Sequence, residues 1–178
     1  SNAKATSWNN EQIDATSQSC DPISHDRCGA RAFPQKAVLV ATNDKLYIFD
    51  AKDNTPWMRF DEGSTASSTM SMLGGTSSTA QTSVSALNGV LYVARTGNNY
   101  DGGVSAIDFM GDTSVFYGQD NVNGKLTYDS GIADRNSTSL GYTTSKYLIG
   151  LVDEDVNDVS AAVVCPSLSM RYTPSDML

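Results

Sequence analysis

The sequence predicts an all-β protein with a propeller-like arrangement of about three blades, or part of a propeller. Short apolar runs alternate with turn-forming Asn, Asp and Gly residues along most of the chain. Similar apolar triplets begin at Leu39, Tyr92 and Leu148, at offsets of 53 and 56 residues, a spacing typical of propeller blades with insertions. A β-sandwich is the alternative, because its strands are also separated by Gly and Asn turns.

The chain divides into an arm and a repeat domain. Residues 1–3 (Ser-Asn-Ala) are typical of the remnant of a cleaved expression tag, and we expect them to contribute nothing to the fold. Residues 4–35 are polar and irregular, which predicts an extended N-terminal arm. Residues 36–178 form the predicted repeat domain, whose units are approximately 36–83, 84–140 and 141–178.

The first unit opens with a hairpin. Residues 37–42 (AVLVAT) form a continuous apolar run, residues 43–44 supply an Asn-Asp turn, and residues 45–50 (KLYIFD) follow as a second strand. Residues 61–83 are rich in Ser, Thr and Gly and have no sustained helical period, which predicts a long loop. Long loops in compact domains often carry function, so this loop is a candidate contact surface.

The second unit repeats the pattern around an Asn88-Gly89 turn. Both residue types tolerate positive φ, and the flanking runs 84–87 (VSAL) and 90–94 (VLYVA) predict a second hairpin. A further strand is predicted at 104–109 (VSAIDF). It follows a Gly- and Asn-rich loop at 96–103, which is a second candidate contact surface.

This second unit resembles the YVTN-type β-propeller repeat. The resemblance covers residues 87–109 and includes the Asn88-Gly89 turn, the LYVA run at 91–94 and the GVSAID run at 103–108. Residues 36–50 are similar to a shorter copy. The resemblance implies a four-stranded blade in which the LYVA strand lies inside and the VSAID strand lies beside it.

Two further tracts resemble segments of propeller-like virion or tail-associated proteins of aquatic bacteriophages. They are residues 131–136 (GIADRN) and residues 151–159 (LVDEDVNDV). This resemblance implies a structural role in a phage particle and a virion or extracellular location. It supplies no catalytic residue.

The third unit is the weakest copy of the repeat. Its predicted strands are residues 146–152 (KYLIGLV) and 159–164 (VSAAVV), and residues 165–178 depart from the pattern. Propellers usually close with about four to eight blades, so three units leave strand edges exposed. We therefore expect the chain to be part of a larger assembly, or a homo-oligomer in which a second copy completes the ring.

The charge of the chain argues against two classes of partner. The formal net charge is −8, and basic residues are scattered singly, so nucleic-acid phosphates and anionic lipid headgroups would be repelled. We expect no nucleic-acid partner. No apolar run approaches the roughly eighteen residues of a membrane-spanning helix, so no membrane span is expected.

One group of residues has the chemistry of a zinc site. Cys20, His25 and Cys28, with Cys165 as a fourth ligand, would make a tetrahedral Cys3His site. The C-x4-H-x2-C spacing is not that of a standard zinc finger. A disulfide between Cys20 and Cys28, or free thiols, fit the same residues.

A second group has part of the pattern of a calcium loop. Asp153, Asp155 and Asn157 have the alternating spacing that opens such a loop. The sixth position is Asp158 rather than Gly and the twelfth is Val164 rather than Glu, which favours a surface turn. No cofactor is therefore predicted, and zinc and calcium are the alternatives.

The sequence contains no recognisable catalytic constellation. His25 is the only histidine, and no nucleophile elbow, Walker loop, dinucleotide fingerprint or HExxH motif occurs. The sequence therefore predicts a non-enzymatic binding or structural module whose loops contact a protein or carbohydrate. The candidate binding residues are Tyr100, Asp101 and Trp57. The alternative is a carbohydrate-active enzyme, a glycosidase that uses two loop carboxylates.

Overall fold

The structure is a computed structural model that describes residues 6–10, 32–43, 45–61, 72–73, 80–97, 102–119, 124–137, 140–145, 150–151, 153 and 155–162. Within these residues the chain forms nine β-strands and two 3₁₀ turns, Trp8–Asn10 and Ile132–Asp134. The strands form two antiparallel sheets, so the predicted all-β class is confirmed. No helix among the described residues is long and apolar enough to cross a membrane.

The smaller sheet has three strands in sequence order, β1 (Ala37–Ala41), β2 (Lys45–Asp50) and β3 (Thr55–Asp61). The predicted first hairpin is confirmed, with Leu39 opposite Ile48 at its centre. β3 was not predicted. Its register against β2 shifts between Ile48 and Phe49, where Trp57 is an extra residue. Because of this bulge, Trp57 and its neighbour Met58 are both buried.

The larger sheet is a meander of six strands: β4 (Ala80–Leu87), β5 (Val90–Thr96), β6 (Gly103–Asp108), β7 (Thr113–Tyr117), β8 (Lys125–Tyr128) and β9 (Tyr142–Ser145). The predicted Asn88-Gly89 turn joins β4 to β5, with φ of 52° and 80°. The predicted strands 84–87 and 90–94 lie within β4 and β5, and the predicted strand 104–109 matches β6 except that β6 begins and ends one residue earlier, at Gly103 and Asp108. β4 begins at Ala80, inside the region predicted as a loop.

The inner faces of the two sheets contribute to one hydrophobic core. Leu46 and Ile48 of β2 are fully buried, as are Val93 of β5 and Ile107 of β6. Within each sheet, the two side chains lie on the face that is turned toward the core, because successive residues of a strand point to opposite faces of its sheet. The largest fully buried apolar side chains are Trp57, Phe60, Phe109 and Phe116.

Arg135 connects the segment after β8 to the smaller sheet. Its side chain is buried, and its Nε donates a hydrogen bond to the carbonyl oxygen of Arg59 at 2.6 Å. Its guanidinium carbon lies 5.9 Å from the centroid of the Phe60 ring, within cation–π range. The amide N of Asp61 donates to Oδ1 of Asn136 at 2.8 Å. These contacts hold the edge strand β3 against the end of the larger sheet.

Residues 155–162 lie beside β4 without forming a strand. Ser83 Oγ donates a hydrogen bond to the Asp158 carboxylate, and the amide N of Ala161 donates to Ser85 Oγ at 3.2 Å. Side-chain hydroxyls of β4, rather than its backbone groups, thus make these hydrogen bonds to the segment 155–162. The strand predicted from Val159 onwards is therefore wrong as far as the structure describes it.

The other strand predicted for the third unit lies largely outside the described residues. Of residues 146–152, the structure describes Gly150 and Leu151. The amide N of Leu151 donates to the carbonyl oxygen of Gly118 at 2.8 Å, and Leu151 forms a single parallel bridge with Gln119. In the described part of the chain the two sheets do not close into a ring.

Tyr128 is expected to make the stability of the protein sensitive to alkaline pH. Burial raises the pKa of its phenol, the Arg95 charge opposes this shift, and Tyr142 adds to it. In the unfolded chain the phenol ionises near pH 10, about its ordinary pKa. Because the folded state holds this proton more tightly, the stabilising contribution is complete below that pH and is lost as the pH rises further.

Urea unfolding at neutral and at alkaline pH measures this effect. We expect the Tyr128→Phe variant to lose less stability on the alkaline side than the unaltered protein. Equal alkaline losses in the two proteins would contradict the expectation.

Candidate functional site

The N-terminal arm packs across one end of the larger sheet. β4, β6 and β8 run in the same direction in the meander, so the segments that follow them lie at the same end. These segments begin at Asn88, Phe109 and Asp129. Residues 6–10 of the arm contact the second and third of them. The arm and the turns together shape a cleft.

Ser7 and Asp112 fasten the arm to the sheet. The amide N and the hydroxyl of Ser7 both donate to the Asp112 carboxylate, the hydroxyl at 2.8 Å. That carboxylate also accepts from the amide N of Ile132 at 2.8 Å, and Ser7 Oγ accepts from the amide N of Ala133 at 3.1 Å. Gly131 leaves room for this contact, because a Cβ there would lie 2.2 Å from Ser7 Oγ. These hydrogen bonds therefore tie the arm to the β6–β7 turn and to the segment that follows β8.

Trp8 carries the arm into the hydrophobic core. Its side chain is 7% exposed, and its indole N donates to the carbonyl oxygen of Phe109 at 2.8 Å. The Trp8 ring meets Phe109 and Trp57 edge to face, with centroids 5.6 and 5.7 Å away. Phe33 completes the cluster at 4.9 Å from Phe109 and 5.1 Å from Trp57. Edge-to-face pairs at these distances are favourable, so the cluster forms a well-packed aromatic wall.

A cleft of about 650 Å³ opens beside this wall, and we call it the Trp8 cleft. Its lining residues are Trp8, Asn9, Asn10, Ala32, Phe33, Asn88, Gly89, Phe109 and Met110. Met110 is 73% exposed and lies over Gly89, where an added Cβ would come within 3.1 Å of the Met110 Cγ. The side chains of Asn9, Asn10 and Asn88 are exposed. The cleft therefore has an apolar floor and an amide-bearing rim.

The Trp8 cleft can bind a ligand, and the lining residues that the structure describes include no acid, base or nucleophile. Its amides can donate and accept hydrogen bonds. The two carboxylates at the adjoining β6–β7 turn already accept hydrogen bonds from within the protein. Asp108 Oδ1 accepts from the amide N of Met110 at 2.9 Å and from the amide N of Gly111 at 3.0 Å. The Asp112 carboxylate accepts from Ser7 of the arm. A largely apolar cleft of this volume with a few polar groups is typical of a binding site.

The predicted binding residues are only partly described. Trp57 lies behind the Trp8 cleft, 1% exposed, and its indole N donates to the carbonyl oxygen of Ala32 at 3.0 Å. Trp57 can therefore influence the cleft through its contacts with the Trp8 and Phe33 rings. Tyr100 and Asp101 lie outside the described residues, as do most residues of the two loops predicted as contact surfaces.

The predicted metal ligands are not brought together in the described residues. Outside those residues lie the four candidate zinc ligands Cys20, His25, Cys28 and Cys165. Asp153, Asp155 and Asn157 are exposed, and Asp153 Oδ1 accepts a hydrogen bond from the Asp155 amide at 3.2 Å, which is turn geometry. In the part of the chain that the structure describes, no three His, Cys, Asp or Glu side chains could share a metal ion. The zinc and calcium alternatives stay predictions.

Comparison with known proteins finds no matching family model, no matching curated protein and no matching solved structure. The resemblance to YVTN repeats and to phage virion proteins therefore stays a prediction. The Trp8 cleft is the feature of the described residues from which a function can be proposed.

Proposed function

We propose that the protein is a non-enzymatic binding or structural module whose Trp8 cleft receives an apolar side chain of a protein partner. The observation that carries this proposal is the lining of the cleft. An aromatic floor and an exposed methionine lie beneath three amide side chains, and none of the lining residues that the structure describes is titratable. Such a site contributes binding through buried apolar area, and its amides orient the bound chain.

The packing of the rings favours a protein ligand over a carbohydrate. Trp8 is almost fully buried. Phe33 meets Trp57 and Phe109 at interplanar angles of 64° and 63°, so the rings of the cluster already pack edge to face against one another. A sugar needs a broad exposed ring face. The exposed Met110 thioether is flexible and adapts to differently shaped apolar groups, as at other protein-binding surfaces.

The glycosidase alternative requires two carboxylates about 5 to 10 Å apart in one cleft. Among the described residues, none that lines the Trp8 cleft carries a carboxylate. Asp108 and Asp112, in the adjoining turn, accept hydrogen bonds from backbone amides. The cleft therefore supports binding better than hydrolysis.

A structural role in a phage particle is the wider setting of this proposal, as the sequence resemblance implies. A propeller-like arrangement of three blades, or part of a propeller, belongs to the proposal as well. Antiparallel meanders are compatible with propeller blades, and the β-sandwich stays the alternative because a six-stranded sheet exceeds the four strands of one blade. A binding role through the Trp8 cleft requires neither architecture.

The proposal can be tested by tryptophan fluorescence, because the chain has two tryptophans and both belong to the aromatic cluster. The probes are capped peptides that each present one Leu, Met or Phe side chain, and neutral oligosaccharides. We expect peptides to change the emission in a saturable way and oligosaccharides to leave it unchanged. Saturation by an oligosaccharide instead would assign the cleft to carbohydrate.

Replacing Met110 with lysine is expected to weaken peptide binding about tenfold or more, since it removes an apolar contact worth roughly 1.5 kcal/mol or more. Met110 is exposed, so the substitution should leave the stability nearly unchanged. Thr143→Lys is the matched control, because Thr143 is an exposed residue of β9. Equal peptide affinities in the two variants would contradict a role for the cleft.

A further inference from the structure

The Asp108 carboxylate lies beside the lining of the Trp8 cleft. Asp108 is the last residue of β6, two positions before Met110. Its Oδ1 accepts the hydrogen bonds from the Met110 and Gly111 amides, which fix the carboxylate next to a residue that lines the cleft. Gly111 leaves room for it, because a Cβ there would lie 2.6 Å from Asp108 Oδ2.

The second oxygen of this carboxylate is open to a ligand. Among the described residues, no group donates a hydrogen bond to Asp108 Oδ2. Asp108 is half-buried, and Oδ2 is not one of the buried polar atoms that lack a partner, so this oxygen reaches solvent. A carboxylate oxygen at the rim of an apolar cleft can accept a charge-assisted hydrogen bond from a cationic group of a bound chain.

The other charges at this end of the larger sheet are mostly negative. The described segments that follow β6 and β8 contain three aspartates and one arginine, namely Asp112, Asp129, Asp134 and Arg135. Arg135 is buried and donates to the carbonyl oxygen of Arg59, so its side chain is directed at the smaller sheet. The whole chain has a net charge of −8. This end of the sheet therefore attracts a cationic group and repels an anionic one.

Asp108 is better placed than the other aspartates to contact a chain in the cleft. Both oxygens of Asp112 already accept hydrogen bonds, Oδ2 from the Ser7 amide and Oδ1 from the Ser7 hydroxyl and the Ile132 amide. Asp129 and Asp134 belong to the segment after β8, which contributes no residue to the described lining of the cleft.

We propose that the chain received by the Trp8 cleft is basic as well as apolar, with a lysine or arginine beside its apolar anchor that pairs with Asp108 Oδ2. This inference rests on the proposed function, because it assigns the chemistry of the partner of the same cleft. The methylene stem of a lysine or arginine packs on apolar surface while its charged end stays in water. The exposed Met110 side chain provides such a surface next to Asp108. Asp108 thus determines specificity.

Tryptophan fluorescence titrations with three capped tripeptides test the proposal. The tripeptides share a central leucine and carry lysine, glutamine or glutamate on both sides of it. We expect the lysine peptide to bind the unaltered chain about threefold more tightly than the glutamine peptide, as for a partly exposed charge pair, and the glutamate peptide to bind most weakly. Added salt should reduce these differences, because it screens exposed charges.

Asp108→Asn is the test variant. The amide oxygen of asparagine can still accept the hydrogen bonds from Met110 and Gly111, while the negative charge is removed. Asp155→Asn is the matched control, because Asp155 is exposed and its neighbour Val156 is bonded to Arg95, at the opposite end of the sheet. We expect the preference for the lysine peptide to disappear in Asp108→Asn and to persist in Asp155→Asn. The glutamine peptide should bind both variants equally, which shows that the cleft is intact.

The peptide comparison separates this inference from the proposed function. If the lysine and glutamine peptides bind the unaltered chain equally, or if the preference survives in Asp108→Asn, the role of Asp108 is overturned and the cleft stays a binding site for apolar side chains. If none of the three peptides binds, the proposed function is overturned together with this inference. The comparison on the unaltered chain decides the matter even where a variant does not fold.

Discussion

Replacing Gly103 with alanine is expected to lower the free energy of unfolding by about 2–6 kcal/mol, because backbone strain and overpacking contribute about 1–3 kcal/mol each. Gly103 has φ of 151°, which residues with a side chain rarely adopt. A Cβ at this position would lie 2.2 Å from the carbonyl oxygen of Tyr117 and 2.8 Å from the Phe116 ring. Neither the β7 backbone nor the buried phenylalanine can move away cheaply.

Gly141→Ala is the matched control for this substitution. A Cβ at Gly141 would lie 3.1 Å from the Asp129 carboxylate, which belongs to an exposed side chain that can shift. We expect a change of less than about 1 kcal/mol, as for most exposed substitutions. Urea unfolding of both variants gives the comparison. If Gly103→Ala were as stable as Gly141→Ala, the placement of Gly103 against β7 would be wrong.

Replacing Trp8 with alanine is expected to cost about 3–5 kcal/mol, the usual range for truncating a large buried aromatic side chain. The substitution removes the edge-to-face contacts with Trp57 and Phe109 and the hydrogen bond to the Phe109 carbonyl. It would leave a cavity in the core and remove part of the aromatic floor of the Trp8 cleft. Domains of this size have a total stability of about 5–15 kcal/mol, so the loss would be large.

Asn9→Ala is the control for the Trp8 variant, since Asn9 is exposed in the same 3₁₀ turn. Calorimetric or urea unfolding should show a large loss for Trp8→Ala and almost none for Asn9→Ala. A loss of under about 1 kcal/mol for Trp8→Ala would mean that the arm does not contribute to the core.

The sequence identified the strands whose signals are local. β1, β2 and the β4–β5 hairpin have apolar runs beside Asn-Asp or Asn-Gly turns, and both signals are read within a few residues. β3 was missed because Pro56 and Arg59 interrupt its apolar pattern. β9 (Tyr142–Ser145) is short and polar, so only its partner β8 reveals it.

The grouping of strands into sheets could not be derived from the repeat pattern. Strand similarity at a fixed offset predicts equal units, but pairing depends on which edges meet in space. β9 pairs with β8 across the boundary predicted near residue 140. Residues 155–162 lie along β4 through side-chain hydrogen bonds, which no periodicity signals.

The candidate site was predicted only in part, for the same reason. The Asn88-Gly89 turn is a local signal and was found. The contacts of Ser7 with Asp112 and of Trp8 with Phe109 join residues separated by 105 and 101 positions. The single hint in the sequence is Trp8 itself, a large aromatic residue in an otherwise polar arm. Trp57 was predicted as a binding residue, and the bulge in β3 turns its side chain into the core.

The central claim, that the Trp8 cleft binds an apolar side chain, is tested most directly by fluorine NMR of protein labelled with fluorotryptophan. Two resonances are expected, one for each tryptophan, and Trp8→Phe assigns them. On titration with the capped Leu, Met and Phe peptides, we expect the Trp8 resonance to shift saturably and more than the Trp57 resonance, and in Met110→Lys we expect saturation only at about tenfold higher peptide concentration. Two resonances that stay unmoved by every peptide would contradict the claim.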